Sequence, residues 1–172
     1  MELSIVVGNP KPRSRTLAVA EAVADRLVGV TGATIARTVD LCDHADELFT
    51  WPHDGLAALN DAVAASEYVV FASPTYKAAY TGLLKAFLDR YPSDGLAGVT
   101  AIPVMTGASL VHAMAVDTGL RPVLVELGAS LPTRGLFFVM TQMPELDAVV
   151  DAWAEHNLNV PATIGPMTRG TV

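Results

Sequence analysis

"LSIVVGNPKPRSRTLAVAEAVADRLV", residues 3–28, changes its period in the middle. Leu3 to Gly8 is a short apolar run rich in β-branched residues, which reads as a buried strand. From Leu17 to Val28 the apolar residues recur at spacings near 3.6, the pattern of a helix packed on a sheet. Between them "GNPKPRSRT" (8–16) packs two prolines, three basic side chains and two hydroxyls into one turn. Strand, polar turn and amphipathic helix make the first unit of an α/β fold.

The unit recurs. Strand-like runs follow at "ATIARTVDL" (33–41), "YVVFAS" (68–73), "VTAIPVMTG" (99–107) and "GLFFVM" (135–140), and helical spacing at Leu56 to Ala65, Leu83 to Tyr91, Leu110 to Leu127 and Leu146 to His156. Five strands alternating with five helices predict a doubly wound parallel sheet with helices on both faces. No repeat, low-complexity segment or linker divides the chain, so residues 1–158 read as one domain. Only "NVPATIGPMTRGTV" (159–172) looks irregular, and a tail that is loose or packed on a neighbouring subunit is expected there.

The 172 residues are 51% hydrophobic and 17% charged, with a formal net charge of −7. That balance suits a globular fold and disfavours a nucleic-acid surface or an anionic membrane. No apolar run approaches the roughly 18 residues of a membrane span, and "MELSIVVGN" lacks a signal peptide's basic start, so a cytoplasmic location is expected. The single cysteine, Cys42, excludes an internal disulfide and reads as a buried small residue. His44, His53 and His156 are scattered, and no metal site is expected.

In a doubly wound sheet the ligand lies beyond the carboxyl ends of the strands, where their order reverses. The loops in question are 8–16, "SPTYKAAYTG" (73–82) and "MTGAS" (105–109). The first has neither Gly-x-Gly-x-x-Gly nor Gly-Lys-Ser/Thr. If Ser14 caps the helix, Arg15 and Thr16 lie in its first turn, where free N–H groups and the helix dipole favour an anion. Lys11, Arg13 and Arg15 add charge; the other reading is a plain cap with solvated cations. In the second loop Pro74 and Tyr76 suit the edge of a flat ring, or else a proline turn with Tyr76 in the core. Gly107, Ala108 and Ser109 offer little side chain, and their N–H groups suit an electron-rich oxygen or nitrogen.

A phosphate pocket beside two small-residue loops describes flavin mononucleotide. On "GNPKPRSRT", "SPTYKAAYTGLLKAFLD" and "TGASLVHAMAVDTGLRPVLVELGA" the chain resembles the NAD(P)H-dependent FMN reductases, and most of all the flavin reductases of alkanesulfonate-type two-component monooxygenases. The likeness runs from Met1 to about Met140. It implies a flavodoxin-like fold with strand order 2-1-3-4-5, FMN with NADPH or NADH as cofactors, a partner monooxygenase, and dimers that pair into tetramers, for which the "GLLKAFLDRY" helix offers a seam. By position it implies that Asn9, Lys11, Ser14, Arg15 and Thr16 hold the phosphate. Pro74, Thr75, Tyr76 and Lys77 line the ring edge, and Thr106, Gly107, Ala108 and Ser109 face the pyrimidine. Asn9 and Lys11 depart from the family's usual serine and arginine, yet both keep a donor.

No acid–base residue is required, and His112 is a minor candidate for donating toward the ring. Asp117, Arg121 and Glu126 read as interface or solvated charges. Thr118 and Gly119 stand where such reductases often carry an aromatic beside a π-bulge; losing the ring weakens the reason for a bulge, while Thr-Gly is poor helix sequence that still permits one. The alternatives to an FMN reductase that releases reduced flavin are an FMN-retaining quinone- or azo-type reductase and a non-enzymatic flavodoxin-like electron carrier.

Overall fold

The computed structural model describes residues 1–158. Strands β1 (Glu2–Val7), β2 (Thr34–Asp40), β3 (Tyr68–Pro74), β4 (Thr100–Gly107) and β5 (Leu136–Val139) form one sheet in the order β2-β1-β3-β4-β5, every neighbouring pair parallel. All five expected strands form, in the expected order. The tail at 159–172 lies outside the described residues.

Helices α1 (Arg15–Thr31) and α5 (Leu146–Asn157) cover one face of the sheet, with Val19, Val23, Leu27 and Val150 buried against Leu3, Ile5, Val70 and Phe138. On the other face α2 (Asp54–Ala64), α3 (Gly82–Leu88) and α4 (Arg121–Glu126) bury Leu56, Val63, Leu84, Phe87 and Leu124 against Val69, Phe71 and Met105. Each such side chain contributes about 1.5–3 kcal/mol on burial, so the two layers dominate the energetics. Leu84, Ala86, Phe87 and Leu88 of α3 face this core. The helix's apolar character thus reflects, at least in part, its own chain's packing.

Local chemistry sets the element ends. Ser14, extended at φ −74°, accepts the Leu17 N–H at 3.2 Å, and Gly32 closes α1 at φ 68°. His53 caps α2 by accepting the Leu56 N–H on Nδ1 at 3.1 Å. Edge strand β2 is mostly exposed. Its Arg37 turns inward to Ser4 and Ser66 at 3.1 and 3.2 Å, where the β1–β2 register shifts between Leu3 and Ser4.

Two expectations change. The helix foreseen over Leu110 to Leu127 is broken into a 3-10 turn at Leu110–His112, a π-turn at Val116–Leu120 and α4. The π-turn therefore persists without the aromatic, in keeping with the weak helix propensity of Thr118-Gly119. Cys42 is half-buried, not buried. Desolvation, then Asp40 and Asp43, push its thiol up to about 11, which keeps it protonated near neutral pH.

Candidate active site

The loops after β1, β3 and β4 meet at a cavity of about 430 Å³ beside the point where strand order reverses. That volume falls within the roughly 300–1,000 Å³ of small-molecule clefts. Its lining includes Asn9, Lys11, Ser14, Arg15, Thr16, Pro74, Thr75, Tyr76, Thr106, Gly107 and Ala108, eleven of the thirteen positions expected from sequence. Lys77 and Ser109 are exposed and outside the lining, and so is His112 in its 3-10 turn. Pro12, Arg13 and Met140 complete the wall. Met140 belongs to no expected loop, because it follows β5, and its part depends on how far that strand reaches.

The first loop is braced from within. Asn9, 7% exposed, accepts the Lys11 N–H at 3.0 Å and donates to Thr16 Oγ1 at 3.0 Å. Its amide thereby shapes the loop. Thr16 Oγ1 also pairs with Thr106 Oγ1 at 2.9 Å, joining the first loop to the third. That pair uses one of its two hydroxyl protons and leaves the other for an acceptor. Arg13 sits at φ 48°, an uncommon conformation for a non-glycine residue, with its N–H held by Asp40 Oδ2 at 2.9 Å.

Several donors at this end have no partner among the described residues. Lys11, Arg13 and Arg15 form no ion pair. The Arg15 and Thr16 N–H groups open α1 without an acceptor, since Ser14 caps only Leu17. Ser14 accepts that bond and keeps its own proton to give, so the capping and anion-binding readings of this residue are compatible.

Two prolines shape the rest. Gly8 donates to the Ala72 carbonyl at 2.8 Å, and a parallel ladder would next bring the N–H of residue 74 back to the Gly8 carbonyl. Pro74 has no N–H. The Thr81 hydroxyl donates there instead, at 2.5 Å, while accepting the Leu84 N–H at 3.2 Å as the cap of α3. Pro103 of β4 falls between the Ser130 bridge and the start of the β5 pairing, outside the residues that β5 pairs. Beyond Pro74, Tyr76 and Ala79 exchange both backbone hydrogen bonds around Lys77 (φ 51°) and Ala78 (φ 64°). This tight turn holds Tyr76 out at 49% exposure, which overturns the core alternative for that residue.

In the second loop Thr75 Oγ1 is buried without a hydrogen-bond partner among the described residues, the kind of orphan that a bound polar ligand satisfies. Ala108 and Ser109 N–H groups likewise have no acceptor among the described residues. Gly107 abuts Phe137: a Cβ there would lie 2.5 Å from Phe137 Cζ. Asp117 and Arg121, expected as interface or solvated charges, instead bind each other at 2.9 Å and the segment before β5; Glu126 is solvated.

A cation- and hydroxyl-rich pole, free helix N–H groups and a small-residue wall with unmet donors are features of an α/β protein that suit a phosphorylated ligand. The chain belongs to the NADPH-dependent FMN reductase family, whose model matches residues 1–144. It is 30% identical over 138 residues to an FMN reductase (NADPH) of Escherichia coli K12, covering 80% of this chain and 72% of that one. To an FMN reductase (NADPH) of Pseudomonas putida KT2440 it is 34% identical over 134 residues, covering 76% and 66%. The fold superposes with TM-score 0.77 on the apo form of an NADH:FMN oxidoreductase (EMOB), at 30% identity over 98% of this chain and 96% of that one. It is accordingly an oxidoreductase of the flavodoxin-like fold that uses FMN and a nicotinamide nucleotide.

Proposed function

We propose that the chain reduces FMN with NADPH or NADH and hands the reduced flavin to a partner monooxygenase. FMN, when bound, would supply the redox chemistry as the acceptor of a hydride from the nicotinamide. Lys11, Ser14, Arg15 and Thr16 hold the phosphate, with Asn9 keeping their loop in shape. Thr75 and Tyr76 border the ring, and Thr106, Gly107 and the Ala108 N–H face its pyrimidine side, where fixed donors favour the charge that reduction places there. Side chains do no proton transfer in this scheme; they bind, orient and leave one ring face open.

The observation that supports release over retention is that the π-turn at Val116–Leu120 forms without the aromatic, eight residues after Ala108 of the cavity wall, with Leu110, Val111 and Met114 exposed in between. A second copy of the chain, in a dimer or tetramer, suits that apolar rim. Purification without added flavin tests the reading. A colourless protein whose NAD(P)H oxidation saturates with added FMN supports it. A yellow protein indifferent to added FMN and reducing only a quinone or dye would overturn it.

A further inference from the structure

The segment between β4 and α4 is held by side chains as well as by its own backbone turns. The Arg121 N–H reaches back five residues to the Val116 carbonyl, the mark of a turn that carries an extra residue. Asp117 Oδ1 accepts Arg121 Nε at 2.9 Å and the Gly135 N–H at 3.2 Å. The same guanidinium donates to the Leu131 carbonyl at 3.0 Å and to the Thr133 carbonyl, so each of its nitrogens is engaged. Both side chains are largely covered, at 25% and 35% exposure. Gly135 lies so close that a Cβ on it would overlap the Val116 side chain. From Gly135 the chain enters β5, where Phe137 rests on Gly107, and then reaches Met140 in the cavity wall.

We infer that Asp117 and Arg121 are positioning residues for the flavin site. They lock the π-turn onto the approach to β5, and β5 sets where Phe137 and Met140 stand against the Gly107–Ala108 wall. Arginine is needed because one lysine ammonium cannot span a carboxylate and two carbonyls in fixed directions. The inference rests on reading the cavity as the flavin site, and it concerns the ring end, so phosphate binding is left aside.

The test compares FMN and riboflavin affinities by fluorescence quenching, well below the unfolding temperature, in Arg121→Lys and Asp117→Asn. Arg26→Met serves as the control: it breaks a surface pair with Asp147 and Asp151 at 3.0 and 2.6 Å that joins α1 to α5 outside the cavity. Arg121→Lys is expected to weaken FMN and riboflavin alike, about three- to thirty-fold, with faster hydrogen exchange at the Gly135 N–H. Asp117→Asn should do the same to a smaller degree. Arg26→Met should lower Tm and leave both affinities unchanged. Wild-type affinities for both flavins in folded Arg121→Lys and Asp117→Asn proteins would overturn the inference, as would a loss confined to FMN. Should the wild-type chain bind neither flavin, the cavity reading itself falls; an FMN-specific loss in Arg15→Ala beside unchanged Arg121→Lys sinks the clamp alone.

Discussion

Arg15 is the residue on which the anion end can be judged, since its side chain has no acidic partner among the described residues and its N–H opens α1. Arg15→Ala is expected to weaken FMN binding by about 1.5–3 kcal/mol, the range of a charge-assisted hydrogen bond, with riboflavin affinity nearly unchanged; parallel titrations of the two flavins check this. Gly107 is a different case. Sequence suggests a residue kept small so that a ring can lie on backbone, whereas a Cβ there meets Phe137 Cζ at 2.5 Å. Gly107→Ala is therefore expected to cost about 1–3 kcal/mol of stability before any ligand is considered, and Gly107→Ala with Phe137→Leu should recover part of it in urea unfolding. That contact could not be read from the sequence, because it depends on the β4–β5 register that sets Gly107 opposite Val139. The basic and hydroxyl residues of 8–16 were legible for the opposite reason: their chemistry is local, and the strand–turn–helix pattern around them fixes the direction they face.

At the scale of elements, Thr81 joins three of them. Its hydroxyl stands in for the N–H that Pro74 lacks at the Gly8 carbonyl, and it caps α3. Thr81→Val should cost about 2–4 kcal/mol, the sum of a lost cap and a buried carbonyl left without a donor, while Thr81→Ser stays near wild type in the same denaturant titration. FMN affinity should fall with the valine, since Gly8 begins the loop proposed to hold the phosphate. Alternation of strands and helices, with the family resemblance, made the sheet order readable. The break in the fourth helix was harder: Leu110 to Leu127 keeps a helical apolar period, and the period does not report one inserted residue. Asp117 and Arg121 stood at the familiar i, i+4 spacing, yet the partners that give them their role are the Leu131 and Thr133 carbonyls and the Gly135 N–H, which carry no side-chain signature.

Across the whole molecule, acidic residues outnumber basic ones by seven, while Lys11, Arg13 and Arg15 gather at one mouth with no ion-pair partner among the described residues. A flavin phosphate carries about −1.5 to −2 charges, so the far field repels what the mouth attracts. Screening separates the two: the Debye length falls from about 30 Å at 0.01 M salt to about 10 Å at 0.1 M and about 3 Å at 1 M. Stopped-flow association of FMN is expected to quicken from 0.01 to 0.1 M salt, as the long-range repulsion is removed, and to slow toward 1 M, as the local attraction goes too. Uncharged riboflavin should show neither trend, and a rate for FMN that falls steadily from the lowest salt would mean that the mouth alone governs approach. Near 0.15 M, with about 8 Å of reach, the three cations act on a phosphate only once it is at the loop. Such a mouth chooses its anion at contact, and a crowd of other phosphorylated metabolites is neither drawn in nor concentrated by the protein as a whole.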